Sequence, residues 1–502
     1  MSLLTLVAVA TLLLGSALGD TCSDVASISS VDVQSPTSGP YIKEQADYWS
    51  STCAALKPTC IMFPKSAEEV STIINVLKGN NEKFAIKSGG HNPNNYFSSV
   101  EGGPLISTQK MDQVLLDPAT GIAKVGPGIR LDEIAAQLQG TGWTFVGGRI
   151  GNTGVGGLIL GGGLSYMSAQ YGWAASSVLE YEIVLANGTI ATASATHNPD
   201  LFRALKGGGN MFGVVTTYTL QTYRQGNIYG GNLVFLRTPE TDAKLLKAVR
   251  DFADYNQDDK AAVIVTAERS TVSLIDSWIL FIFYDGVEVP LGTFKNFTDV
   301  GPTLNTCKVQ TYSDLIGGSN WVIVKASVVD ISTTTIPVPS LANAGLMDEI
   351  HAHWRNLSGT TQLELGIVAS VAYQPFPRAI ARAARQRSPD LIDADEDVDK
   401  IIMEINYSFV PQASYGAMAD TVEATYTGVD RIVGEWQDRG RLPRNTFLPA
   451  FMNYGFYRQD YFGRLKPEMA RLAAEVAEGV DPTGFFRDRT GGFRPNKVAS
   501  RK

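Results

Sequence analysis

The chain has 502 residues, 44% of them hydrophobic, which is ample for two or three domains with large cores and no need of special staples. Its 42 Lys and Arg against 50 Asp and Glu leave a formal charge of −8, and no basic cluster offsets that balance. Both points argue against a general role on nucleic acid or on an anionic membrane.

Residues 1–19, MSLLTLVAVATLLLGSALG, form an uncharged apolar run that ends in the small residues Ala17 and Gly19 on either side of Leu18. This predicts a cleaved signal peptide, a mature chain beginning near Asp20, and a secreted or secretory-pathway protein rather than a membrane anchor. Four cysteines (Cys22, Cys53, Cys60, Cys307) and N-x-S/T sequons at Asn187, Asn296, Asn356 and Asn406 agree with that route. The pairing stays open: Cys53 with Cys60 across a short loop, or either with Cys22. The cysteines are scattered, and His91, His197, His351 and His353 have no ligand spacing beside them, so no metal site is expected. His351 and His353 read as solvated loop or helix residues.

From Pro58 the pattern alternates. CIMFP reads as a strand, SAEEVSTIINVLKGN as a helix with a Ser N-cap and acidic first turn, and KFAIKS as the next strand, together a β-α-β unit. Strands follow at GPLIST and GIAKVGP, then a helix at LDEIAAQLQGTG, then strands through SVLEYEIVLANGTIATAS and FGVVTTYTLQTY. Beyond Gly226 the texture changes to strands such as NLVFLR and AVIVTAE, a Ser/Thr-rich patch from Asp330 to Pro337, and amphipathic helices including RAIARAARQ, which predicts a second, α+β domain. The last sixty residues predict a strand-like FLPAFMNYGFY and a helix, MARLAAEVAEGV, stopped by DP.

The 49 glycines are concentrated in the first half, in GGRIGNTGVGGLILGGGLSY (147–166) and KGGGNMFG (206–213), with a further pair before His91 in FAIKSGGHNPNN. Runs of this kind let main-chain N–H groups approach phosphates, so a large anionic ligand is implied. Neither the P-loop pattern nor a G-x-G-x-x-G set between strand and helix is present, which points away from the Rossmann type.

KSGGHN, the downstream TGVGGLILGGGLSYMSAQYGW, the NPDLFRALKGGGNMFGVVTTY block and a late NY followed by DP resemble the berberine-bridge-enzyme-like flavoproteins of the vanillyl-alcohol-oxidase superfamily. The resemblance covers most of the mature chain and is weakest between Gly226 and Pro443. It implies an α+β fold: a PCMH-type FAD-binding domain of two α/β subdomains, and a substrate domain whose antiparallel sheet is covered by helices. The expected divisions are an N-terminal segment at 20–57, the FAD domain at 58–225, the substrate domain at 226–445, and a tail at 446–502 returning to the FAD domain.

By resemblance, His91 carries FAD covalently through an 8α-histidyl bond, and Ser88, Gly89, Gly90, Asn92, Thr153, Gly154, Gly157 and Val215 complete the cofactor-binding set. Many relatives add a cysteinyl bond four residues before G-V-G-G; here that position is Ile150, so a single link is expected. Thr153 stands where the family gates oxygen, and its size favours O2 as acceptor. Flavin oxidation needs a hydride delivered to N5 and a base for the accompanying proton. The family implies Tyr454 as that base. Its partner is drawn from IIMEINYSF, where Asn406 aligns better and Glu404 is the stronger base. Asn406 in the site predicts an unglycosylated sequon.

The expectation is therefore a secreted, monomeric FAD-dependent oxidase of a small apolar secondary metabolite, an alcohol, amine, polyketide or alkaloid intermediate, with O2 as co-substrate. The alternatives are a cyclase or isomerase on the same flavin scaffold and an oligosaccharide oxidase, the latter weakened by the missing second link. A non-catalytic binding protein has no need of the His91 motif.

Overall fold

The computed structural model describes residues 20–270, 274–323 and 325–495; the signal-peptide reading concerns residues 1–19, outside that range. Helix α1 (Thr21–Ile28) is capped by Asp20, whose carboxylate accepts from Cys22 N at 3.0 Å. A Cys22–Cys60 disulfide ties α1 to the first sheet, leaving Cys53 a buried thiol and Cys307 a half-buried one.

That sheet contains β1 (Asp32–Gln34), β2 (Ile61–Phe63), β3 (Ala85–Lys87) and β4 (Leu105–Ser107), with α2 (Ala67–Gly79) between β2 and β3. Ser66 caps α2 by accepting from Glu69 N at 3.3 Å, and Val70, Ile73, Ile74 and Leu77 bury its apolar face. The β-α-β unit is present, although β2 and β3 are not neighbours: both pair in parallel with β4, giving the order β1-β2-β4-β3.

The next segments supply β5 (Val114–Asp117), β6 (Ile122–Val125), α3 (Leu131–Leu138), α4 (Val155–Leu160), β7 (Val178–Val184), β8 (Ile190–Ser194) and β9 (Val214–Gln221). The strands form an antiparallel sheet ordered β5-β6-β9-β7-β8.

The third unit holds β10 (Ile228–Leu236), α5 (Pro239–Tyr255), β11 (Ala261–Ser270), β12 (Asp276–Tyr284), β13 (Val328–Pro337), α6 (Gly345–Thr360), β14 (Val368–Phe376), α7 (Arg378–Arg387), β15 (Lys400–Phe409) and α8 (Tyr415–Asp438). Its antiparallel sheet runs β10-β12-β11-β14-β15-β13, with two short strands, Leu304–Asn305 and Lys308–Gln310, on the outer side of β10. Period-two alternation divides its faces. Val263, Val265, Ala369, Val371, Met403 and Ile405 pack under α5, α6 and α8 with Leu245, Trp354 and Val422. Each of the larger buried side chains here contributes roughly 1.5–3 kcal/mol, so the helices fix the sheet firmly. The intervening residues Thr266, Glu268, Ser370, Ala372, Glu404 and Asn406 face the other way, toward the first two sheets. The chain ends with α9 (Pro467–Val480). The expected α+β class, with an antiparallel substrate-side sheet covered by helices, is the fold observed.

Three local readings change. FLPAFMNYGFY is not a strand: it has no partner strand among the described residues, and its one regular stretch is a 3-10 turn at Met452–Tyr454. Its backbone is satisfied by turn bonds and by Asn94, whose amide donates to Gly455 O at 2.8 Å. The Ser/Thr-rich patch is the fully buried strand β13, where β-branched threonines suit the pleat and their hydroxyls bond Met403 O, Asp430 and Pro449 O. His351 is a core residue of α6 rather than a solvated one, stacked on Trp278 at 5.0 Å and bonded to Tyr373 at 3.1 Å. His353 is half-buried and reaches the carbonyls of Ala424 and Thr425, since helical periodicity turns it away from His351.

Candidate active site

A cavity of about 460 Å³ lies between the first two sheets and the open face of the third, and every sequence-predicted site residue lines it. The loop after β3 forms one wall. Ser88 Oγ donates to Pro127 O at 2.6 Å, and Asn92 Oδ1 accepts from both nitrogens of Asn94 at 3.0 Å, so the loop is held on both sides of His91. Gly90 has φ +66°, and a Cβ there would meet Asp47 O at 2.6 Å. Gly89 packs backbone to backbone on Gly154: a Cβ on either would come within 2.4 Å of the other's main chain. Gly157 has open space where a Cβ would stand, and Thr153 is fixed by Leu131 N, which donates to its carbonyl at 3.0 Å. Val215, from β9, lines the far side.

These features fit a dinucleotide. The N–H groups of Gly89, Gly90 and His91 find no acceptor among the described residues, and they edge a cleft that side chains at Gly89 or Gly154 would close. His91 lies against Trp49 at 4.7 Å, and its Nε2 is buried without a partner. Burial, reinforced by the nearby Arg130 cation, holds the imidazole down at about 4, so the ring is neutral and keeps a nucleophilic lone pair at neutral pH. Arg130 itself is anchored by Asp47 at 2.5 Å.

Three neighbours act on Tyr454 through hydrogen bonds or charge: Arg149, Gln374 and Glu404. Arg149, buried, donates to its phenolic oxygen. Gln374 Nε2 donates to the same oxygen at 3.3 Å and to Glu404 Oε2 at 3.2 Å. Burial raises Tyr454 above its ordinary range, and adjacent Glu404 raises it too, while the Arg149 charge pulls the other way. Burial likewise raises Glu404, again opposed by Arg149. Asn453 does not face the reacting region: its amide donates to Leu158 O at 3.1 Å and its oxygen accepts from Gly163 N at 3.0 Å, clamping the glycine-rich turn after α4. Asn406 lies one step along β15 from Glu404 and contacts Ser408, not Tyr454. Of the two candidate partners, Glu404 is the one brought to the tyrosine.

Arg149 and Gln374 were not singled out in the sequence. Arg149 stands beside Ile150, inside the glycine-rich block, and Gln374 shares the period-two face of β14 that carries Ser370 and Ala372 into the cavity.

A glycine-lined dinucleotide cleft meeting an Arg–Tyr–Gln–Glu cluster, its Arg and Gln buried and its Tyr and Glu half-buried on the cavity, defines a flavin-dependent oxidoreductase site. A family model described as an FAD binding domain matches residues 58–194. An uncharacterized FAD-linked oxidoreductase from Arthroderma benhamiae is 39% identical over 92% of both chains, and the FAD-dependent monooxygenase tpcD from Cochliobolus heterostrophus is 29% identical over 89% of this chain and 87% of its own. Glucooligosaccharide oxidase from Acremonium strictum, a protein with a 6-S-cysteinyl, 8α-N1-histidyl FAD, shares the fold with a TM-score of 0.76 at 16% identity, covering 95% of this chain and all of that one. The chain belongs to the FAD-linked oxidoreductases and binds FAD. Among the described residues no helix is long and apolar enough to cross a membrane.

Proposed function

We propose that the protein oxidises a small, largely apolar alcohol or amine, with Tyr454 as the base and O2 as the final acceptor. The observation that carries this reading is the hydrogen-bonded Arg149–Tyr454–Gln374–Glu404 cluster opening on the same cavity as His91. Bound FAD supplies the two-electron acceptor that takes a hydride from the substrate carbon. Tyr454 Oη removes the proton of the substrate O–H or N–H, and Arg149 stabilises the phenolate that burial and Glu404 oppose. Gln374 orients the phenolic oxygen and Glu404 together. Ile264, Ile279, Phe281 and Leu164 give the cavity its apolar lining and exclude water.

We take His91 as a single covalent anchor to the flavin. Its neutral ring and unpartnered Nε2 support this, as does the histidyl flavin of the glucooligosaccharide oxidase; Ile150 lines the cavity without a thiol. Thr153 beside the same cavity supports oxygen access. A monomer leaving through the secretory pathway is the matching cellular reading. It is supported by the run at 1–19, the Cys22–Cys60 disulfide and the exposed sequon residues Asn187, Asn296 and Asn356.

The monooxygenase name of the Cochliobolus relative favours a second reading, in which one oxygen atom enters the product. Assay of the holoenzyme with a panel of arylalkyl alcohols and amines, against glucose oligomers, decides between them. One peroxide per product supports the oxidase, and label from 18O2 in the product supports the monooxygenase. Turnover without oxygen uptake supports a redox-neutral cyclase or isomerase. Turnover of sugars alone overturns the proposal.

A further inference from the structure

Only three formally charged side chains among the described residues line the cavity: Arg149, Glu404 and Glu268. The first two are occupied at Tyr454. The side-chain carboxyl of Glu268, on β11, makes no hydrogen bond or ion pair with any described residue, although Glu268 is only partly exposed and burial raises that carboxyl above the ordinary range. Its neighbours on the sheet are fixed by register. Glu268 stands opposite Ser370, and Ser370 stands opposite Asn406. The three form a polar rung across three strands on the cavity face, with Glu404 one step along β15 from Asn406. Adjacent strands are about 4.8 Å apart, so Glu268 lies about 10 Å from the β15 end of the rung. The row on one side carries Ile279, Thr266, Ala372 and Glu404, and the row on the other carries Val368 and Ser408, so Glu268 is the one carboxylate on its own end of the described face.

A carboxyl group at the wall of an apolar cavity, with no internal cation or donor, is left unsatisfied unless a ligand supplies one. We infer that Glu268 is a specificity residue: it selects substrates that carry an N–H or O–H donor at the end remote from the carbon oxidised beside Tyr454, and it rejects carboxylates. Ser370 and Asn406 extend the same recognition toward β15. The inference rests on the proposed function in taking this cavity as the substrate site.

The test uses the flavin-loaded full chain and four probes of one length: biphenyl-4-ylmethanol and its 4′-hydroxy, 4′-aminomethyl and 4′-carboxy derivatives, whose two ends are spaced like the rung. Dissociation constants are read from perturbation of the flavin absorbance and from quenching of tryptophan fluorescence, independently of turnover. The hydroxy and aminomethyl probes should bind about tenfold tighter than the parent, and the carboxy probe weakest. A larger gain for the aminomethyl probe marks charge pairing; equal gains mark a hydrogen bond. Glu268→Gln should compress the ratio between aminomethyl and carboxy probes, and Glu268→Lys should reverse it. Equal affinity across the series, no measurable affinity for any probe, or an unchanged order in a Glu268→Lys protein of wild-type Tm and flavin spectrum overturns the inference. A colourless preparation instead sinks the functional reading itself, while a yellow protein with a flat series sinks this inference alone.

Discussion

The guanidinium of Arg149 donates to the phenolic oxygen of Tyr454, joining the glycine-rich block ahead of α4 to the 3-10 turn at Met452–Tyr454. The two residues are 305 apart in sequence, so the proposed base meets Arg149 only when the C-terminal tail returns to the first half. Tyr454→Phe should lower kcat/KM by about 10²–10⁴-fold, the usual contribution of a positioned acid or base, with flavin content unchanged. Arg149→Met should lower it less. Because the Arg149 charge holds Tyr454 down against burial and Glu404, its loss raises the tyrosine further. The rising limb of the kcat/KM–pH profile should therefore move to higher pH in Arg149→Met, and an unmoved limb would remove Tyr454 from the role of base.

At the opposite wall, retention of flavin divides into two separable parts. His91→Ala should release all FAD on acid denaturation, yet the native variant should still bind FAD through the loop and glycine contacts. Gly154→Ala acts differently: its Cβ would lie 2.3 Å from Gly89 N, so one backbone must move. Overpacking of that kind costs roughly 1–3 kcal/mol. The expected result is lower Tm and lower FAD content together, measured by thermal melts and by absorbance. Covalent flavin persisting in His91→Ala would move the anchor elsewhere.

Much of the cofactor side was legible because local sequence determines it. Ser66 before an acidic first turn marks α2, and the glycines at 89, 90 and 154 are required by contacts within a few ångströms. The catalytic side was less legible, since Arg149 and Gln374 acquire meaning only through tertiary placement. Arg149 sits in a run that reads as backbone chemistry. Gln374 lies within a strand of ordinary composition, and its partner Glu404 lies across a β14–β15 register that no short motif encodes. FLPAFMNYGFY misled for a related reason: its apolar run reads as a strand, yet its polar groups bond the His91 loop through Asn94 and β13 through Thr335, which take the place of a ladder.

The cysteines give a third prediction. Without reductant, the native protein should react with a thiol reagent at Cys307 at most, because Cys53 is buried beneath the His91 loop, 3.3 Å from Pro93 O, and is pushed up to about 12 by that burial. Unfolding should expose two thiols, and reduction should expose all four cysteines. Cys22→Ser should destabilise by about 2–4 kcal/mol through loss of loop closure, seen as a lower denaturant midpoint. Four thiols in the unfolded, unreduced protein, or labelling there of Cys22 or Cys60, would contradict the Cys22–Cys60 pairing.

Two core groups should give stability opposite slopes with pH. Asp330, on β13, is buried with Oδ2 unpartnered, and desolvation raises it to about 7, opposed by Arg458. Its folded state therefore keeps a proton that the unfolded chain loses near 3.8, so its contribution is full at low pH and is lost as pH rises toward 7. His351 runs the other way. Burial holds it down at about 4 against 6.5 in the unfolded chain, despite Asp242 nearby, so its contribution is present above 6.5 and is lost as pH falls through 4. Asp330→Asn should thus raise Tm at pH 7 relative to wild type by more than it does at pH 4, by roughly 2–4 °C for each kcal/mol removed. His351→Gln loses the Trp278 stack at every pH, but its deficit should shrink as pH falls from 6.5 to 4, because the wild type alone resists charging a buried imidazole. Melting curves of the three proteins across that range read both slopes at once. A pH-independent offset for either variant would show that the group does not titrate differently in the folded state.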